Sequence, residues 1–97
     1  MIAVIARIPV KPEKKEQALE TIRNLMTKVA EEEGTLSYSV NINEQDPDTL
    51  VFIEHYRDMD ALSVHGQTPH FKDFMKQAAE FASGKPEITV YKQVASI

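Results

Sequence analysis

The chain has no cysteine, which excludes a disulfide framework, a thiolate zinc site and a catalytic thiol. The fold therefore has to stand on its apolar core. Long hydrophobic runs are missing too: the opening Met1-Ile2-Ala3-Val4-Ile5-Ala6 is cut by Arg7, far short of the ~18 apolar residues that a membrane span needs. That segment also lacks a basic stretch before it, so it reads as a strand rather than a targeting signal. No basic cluster exceeds a pair, and fifteen acidic residues against eleven basic ones leave a net charge of -4. This balance argues against a phosphate backbone as partner. There is no glycine-rich phosphate loop and no dinucleotide fingerprint, and tryptophan is absent. A cytoplasmic protein with neither nucleic acid nor membrane as partner is expected.

What is present points to one domain over residues 1–97. Hydrophobic residues at 42% and charged ones at 27% sit near the globular average, which excludes disorder and fibrous architectures. Ile2 to Val10 is rich in β-branched residues and reads as a strand, with Pro9 at its end or on a sheet edge. Pro12 suits a first helical position, Lys11 is a poor cap, and Leu19, Ile22, Leu25, Met26 and Val29 recur at helical spacing until Gly34 stops the helix. Leu36, Tyr38, Val40 and Ile42 alternate with Thr35, Ser37, Ser39 and Asn41, the period of a strand with one buried face. A turn at Gln45-Asp46-Pro47-Asp48 leads into a strand from Leu50 to Arg57, forming a hairpin. Asp58 caps a short helix from Met59 to about His65. Thr68 and Pro69 restart a helix that carries Phe71, Phe74, Met75, Ala78 and Phe81 inward, before Gly84 and Pro86 end it and Glu87 to Ala95 closes as a strand.

The order βαββαβ predicts an α+β fold, a ferredoxin-like antiparallel sheet with its helices on one face. The other sheet face is then bare. Strand three carries Val51 and Ile53 on one side and Leu50, Phe52 and Tyr56 on the other, so whichever side the helices leave open is apolar. A second copy of the chain is the simplest cover.

Reactive side chains concentrate in Glu54-His55-Tyr56 and in His65-Gly66-Gln67-Thr68-Pro69-His70-Phe71. His65 lies at the end of one helix, where the dipole favours imidazolium, and His70 in the first turn of the next, where it favours the neutral ring. The plain alternative is that both bond loop backbone across the helix break. A metal site would need Glu54 or His55 as third ligand, and five residues interrupted by proline is not a helical ligand pair. No metal is expected. Glu54 continues the Leu50 and Phe52 face, where an unpaired carboxylate is costly. An ion pair with Arg7 or Arg57 is the expected answer, and a base with a raised pKa the alternative. Tyr38, Phe52, Phe71, Phe74 and Phe81 read as core that would line any cavity between helix and sheet. Glu31-Glu32-Glu33 reads as a solvated helix end.

Through Glu54-x-Tyr56, Ala61, His65-x-x-Thr68-Pro69-His70-Phe71 and Glu33-Gly34-Thr35-Leu36-x-Tyr38, the chain resembles the antibiotic biosynthesis monooxygenase family. These small dimeric α+β barrel proteins include quinol monooxygenases. The resemblance covers almost the whole chain. It implies a homodimer with sheets packed face to face and a pocket in each subunit, acting on a small aromatic substrate and O2 without metal, flavin or haem. Other members isomerise a phosphorylated signalling sugar derivative, and a distant branch degrades haem. The missing tryptophan and Arg7 in the first strand depart from the haem-degrading pattern. The leading expectation is a cofactor-independent monooxygenase of a quinol or related enol, with His70 as base and His65 or Tyr56 as donor. Tyr38, Phe52, Glu54, Phe71 and Phe74 would bind substrate. An isomerase and a non-catalytic dimeric ligand-binding or stress-response module are the alternatives.

Overall fold

A computed structural model describes residues 1–97. Strand β1 (Ile2–Pro9) leads through a 3-10 turn (Pro12–Lys14) into helix α1 (Lys15–Val29). Strands β2 (Thr35–Asn43) and β3 (Asp46–Tyr56) form the hairpin, followed by α2 (Met59–Gln67), α3 (Pro69–Phe81) and β4 (Glu87–Lys92). The four strands make one antiparallel sheet in the order β2-β3-β1-β4, and the fold is the expected ferredoxin-like α+β arrangement.

Alternation decides which side is covered. Ile2, Val4, Ala6 and Ile8 of β1 and Leu50, Phe52, Glu54 and Tyr56 of β3 are buried, facing the helices as period-two spacing requires. Ala18, Ile22, Leu25 and Val29 of α1 and Phe74, Ala78 and Phe81 of α3 meet them. Each fully buried large side chain contributes roughly 1.5–3 kcal/mol of transfer free energy. On the opposite face the apolar residues are Ala3, Ile5, Val51, Ile53 and Tyr91, while β2 adds Ser37, Ser39 and Asn41 at the paired positions.

Several boundaries differ from the sequence expectation. Helix α1 begins one turn late because Pro12 and an uncapped Lys11 support only a 3-10 turn. It ends at Val29, so Gly34 is not its stop, and no glycine has a positive φ. Gly34 instead permits a close approach: a Cβ there would stand 2.5 Å from the Cβ of Ala61 on α2. The hairpin turn is at residues 44–45, and Pro47 lies within β3 near its start. Leu36 and Ile42 are half exposed at the two ends of the edge strand β2, where its pairing with β3 shifts register. Met75 lines the cavity but is 36% exposed at its rim, and β4 ends at Lys92 rather than Ala95.

Candidate active site

Three backbone devices bring α2 and α3 onto the sheet. Asp58 accepts from the Ala61 amide at 2.8 Å and starts α2. Thr68 works in both directions, its hydroxyl donating to the His65 carbonyl at 2.8 Å and accepting from the Phe71 amide at 3.1 Å. The helix break is thereby fixed at Thr68, with His65 on one side and His70 on the other. Gly34 lets the start of α2 press against the end of the α1–β2 connection, which carries Glu32.

Glu32 is the residue that the charge run concealed. It is not solvated: its side chain is only 8% exposed, and four hydrogen-bond contacts converge on it. His65 Nδ1 lies 2.8 Å from Oε1 and 3.1 Å from Oε2, and His70 Nε2 lies 2.5 Å from Oε2. Thr35 Oγ1 donates to Oε1 at 2.8 Å. Burial opposes ionisation of Glu32, but hydrogen bonds from His70, Thr35 and His65 outweigh it and hold the carboxyl below its ordinary range. An ionised Glu32 fixes the His65 tautomer, because Nδ1 must carry the proton that is donated. Nε2 then presents its lone pair, and no protein group bonds it.

The ring of His65 is buried among aromatics, with centroids 5.1 Å from Phe71, 5.3 Å from Tyr56 and 5.7 Å from Tyr38. Beside it is a cavity of about 100 Å³ between sheet and helices. His65, Glu54, Tyr38, Phe52, Phe71 and Phe74 all line it, so six of the eight residues expected at the site converge on one space. Tyr56 does not line it. Fully buried beneath the wall, it donates its hydroxyl to Glu54 Oε1 at 2.6 Å. His70 does not line it either, facing a surface groove between α1 and α3 beside Lys28 and Asp73. It reaches the cavity only through Glu32 and His65.

Glu54 corrects the expected ion pair. It sits in the cross-strand row Val90, Val4, Glu54, Tyr38. Arg57 instead contacts its neighbour Asp58 at 3.5 Å, and Arg7 pairs on the open face opposite Val51 and Glu87. Burial pushes the Glu54 carboxyl above its ordinary range, although the Tyr56 hydrogen bond and the charge of His65 act against the shift. Burial, together with that carboxylate, also raises the Tyr56 phenol and keeps it neutral. The Tyr38 phenol is raised likewise, by burial first and by Glu54 and Glu32 next. No group of three or more His, Asp or Glu is arranged to hold a metal ion, and no helix is long and apolar enough to cross a membrane. Nothing in the local sequence marks Glu32 off from Glu31 and Glu33, because its histidine partners come from α2 and α3.

A one-layer antiparallel sheet with helices on one face, and an apolar cavity tipped by a histidine and a carboxyl, define a small ferredoxin-like α+β protein built around a small-molecule pocket. The family described as antibiotic biosynthesis monooxygenase matches residues 1–77, and the chain belongs to that family. The chain is 30% identical over 84 residues to "Probable quinol monooxygenase YgiN" of Escherichia coli (strain K12), covering 76% of this chain and 81% of that one. It is 33% identical over 91 residues to the uncharacterized protein sll1783 of Synechocystis, covering 94% of this chain but only 62% of that protein's length. The crystal structure of a conserved protein from Methanosarcina mazei Go1 superposes with a TM-score of 0.92 at 29% identity, covering 96% of this chain and 92% of that one.

Proposed function

We propose that the protein is a monooxygenase that needs no cofactor, oxidises a small aromatic quinol or related enol with O2, and works as a homodimer. The observation that carries this reading is His65, whose Nδ1 is held by the buried Glu32 carboxylate and whose Nε2 is unpartnered at an apolar cavity. That arrangement is a general base directed at a bound hydroxyl. His65 therefore takes the role of base that was expected of His70, and His70 becomes a positioning residue that holds Glu32.

The chemistry balances without an external reductant, since the quinol supplies both electrons. His65 Nε2 takes one hydroxyl proton, and the electron-rich quinolate passes one electron to O2. The resulting radical pair joins by a C–O bond at the adjacent ring carbon. The peroxide takes its proton back from His65. Loss of the ring C–H proton and cleavage of the O–O bond then release water and leave the hydroxyquinone. Glu54, whose carboxyl burial raises above its ordinary range, lines the cavity and in its protonated form donates to the second substrate oxygen. The aromatic walls keep water from the radical pair.

A phosphorylated sugar derivative fits less well, because the cavity lining includes Glu54 and neither Lys nor Arg. The homodimer reading rests on the open sheet face, where Ile5, Val51 and Ile53 would otherwise meet water. Oxygen uptake with a panel of monocyclic hydroquinones is the test of function, with heavy-isotope O2 placing one labelled atom in the product and one in water. No uptake with any of them, in protein that still binds the quinones, would leave a binding module.

A further inference from the structure

The cavity is too small for the ligand classes that usually fill an enzyme pocket. At about 100 Å³ it lies below the ~300–1,000 Å³ of pockets that enclose drug-sized molecules, and near the ~150 Å³ that takes a benzene. One six-membered ring fills it. Its lining nevertheless continues outward: Met75, Pro86 and Ile88 line the cavity and are partly exposed, Ile88 by 57% and Met75 by 36%. Val90, 47% exposed, follows Ile88 on the same face of β4. That face is on the helix side of the sheet, yet β4 has no buried residue.

The strand register gives this strip a direction. Glu54 of β3 is paired with Val4 of β1, which is paired with Val90 of β4, and the next row runs Phe52, Ala6, Ile88. Two strand spacings of ~4.8 Å separate the ring site from β4, about 10 Å in all. Every side chain on these two paths beyond Glu54 is apolar. We infer that the substrate is a single-ring quinol with an unbranched apolar tail, the ring buried against His65 and Glu54 and the tail laid across Val4 and Ala6 onto Ile88 and Val90. The inference rests on the quinol reading for the ring and on the β4 strip for the tail. A charged tail would lose its hydration to an apolar strip.

The test is calorimetric binding of 1,4-benzoquinones bearing methyl, butyl, hexyl or octyl chains, which needs no turnover. A methylene taken from water onto this strip should tighten binding about two- to fourfold, with the gain levelling off once the chain passes Val90. Val90→Asp and, separately, Ile88→Asp should flatten that slope, with thermal unfolding of each variant checking that the fold is kept at these two exposed positions. Val64→Asp, on the exposed side of α2, should keep the slope and so control for general greasiness. Affinity independent of chain length in the native protein, or a slope untouched by both β4 variants, overturns the tail. A slope without oxygen uptake from any quinol keeps the tail and removes the oxygenase reading, while uptake without a slope does the reverse.

Discussion

The helix-covered face of the sheet is divided between two regions of opposite composition. Under α1 and α3, twelve buried residues from Ala6 and Ile8 to Phe74 and Phe81 form a wholly apolar core. Under α2, the apolar cluster shrinks to Ile2, Val4, Tyr56 and Ala61, and Glu54, His65 and Glu32 are buried beside it. The first region maximises burial. The second holds polar groups out of water at a free-energy cost that hydrogen bonds only partly offset. A small fold keeps such an arrangement where it has work to do, so stability and chemistry should separate along this boundary.

Phe81→Ala tests the apolar side and carries the largest expected stability effect. Phe81 is fully buried against Phe74 at 6.2 Å between centroids, and its loss should cost about 3–5 kcal/mol. Urea unfolding checks this, and activity per folded molecule should hold. Gly34→Ala crosses the boundary. A Cβ 2.5 Å from that of Ala61 forces α2 away from Glu32, so about 1–3 kcal/mol of stability and activity should fall together.

The two buried carboxyls should show opposite pH behaviour. Glu54 is raised in the folded state, so its contribution is fully present below the ordinary carboxyl value of 4.5 and is lost as pH rises through the folded value. Glu54→Gln should therefore gain stability relative to the native protein as pH rises through that window and hold the gain above it. Glu32 is lowered, so its contribution is present above 4.5 and is lost as pH falls through its folded value. Glu32→Gln should be the less stable protein near neutrality, with the difference narrowing in acid. Unfolding midpoints measured across pH for both variants check the pair, and parallel curves would erase the distinction. Thr68→Ala is the smallest change, removing the cap of α3 for about 1 kcal/mol. Thermal unfolding should register that loss.

The element order and the caps of α2 and α3 were legible in the sequence because each rests on local spacing: Leu50, Phe52, Glu54 and Tyr56 alternate, and Thr68-Pro69 supplies a cap and a favourable first helical residue, whereas both sides of β3 are apolar and the side that the helices cover was left open. Of the aromatics expected to line the cavity, Tyr38, Phe52, Phe71 and Phe74 do, whereas Phe81 is buried in the apolar core. Glu32 was not legible, since nothing local separates a solvated glutamate from one that two histidines will reach from 33 and 38 residues away. The partner of Glu54 was misread for the related reason that cost of burial was visible and cavity exposure was not. Gly34 looked like a helix stop, and only tertiary contact with Ala61 reveals its purpose. The placement of His70 outside the cavity depends on the turn of α3 relative to α1, which spacing does not specify.

Oxygen uptake and thermal unfolding on one preparation of His65→Asn bear most directly on the division between a packing region and a chemical one. Asparagine keeps a donor for Glu32 but has no basic nitrogen for the cavity. The native protein should consume oxygen with a monocyclic hydroquinone, and the variant should lose two to four orders of magnitude in kcat/KM, as expected of a missing general base, while unfolding within a few degrees of the native protein. A variant that turns over at the native rate per folded molecule would contradict the assignment and leave His65 a structural histidine.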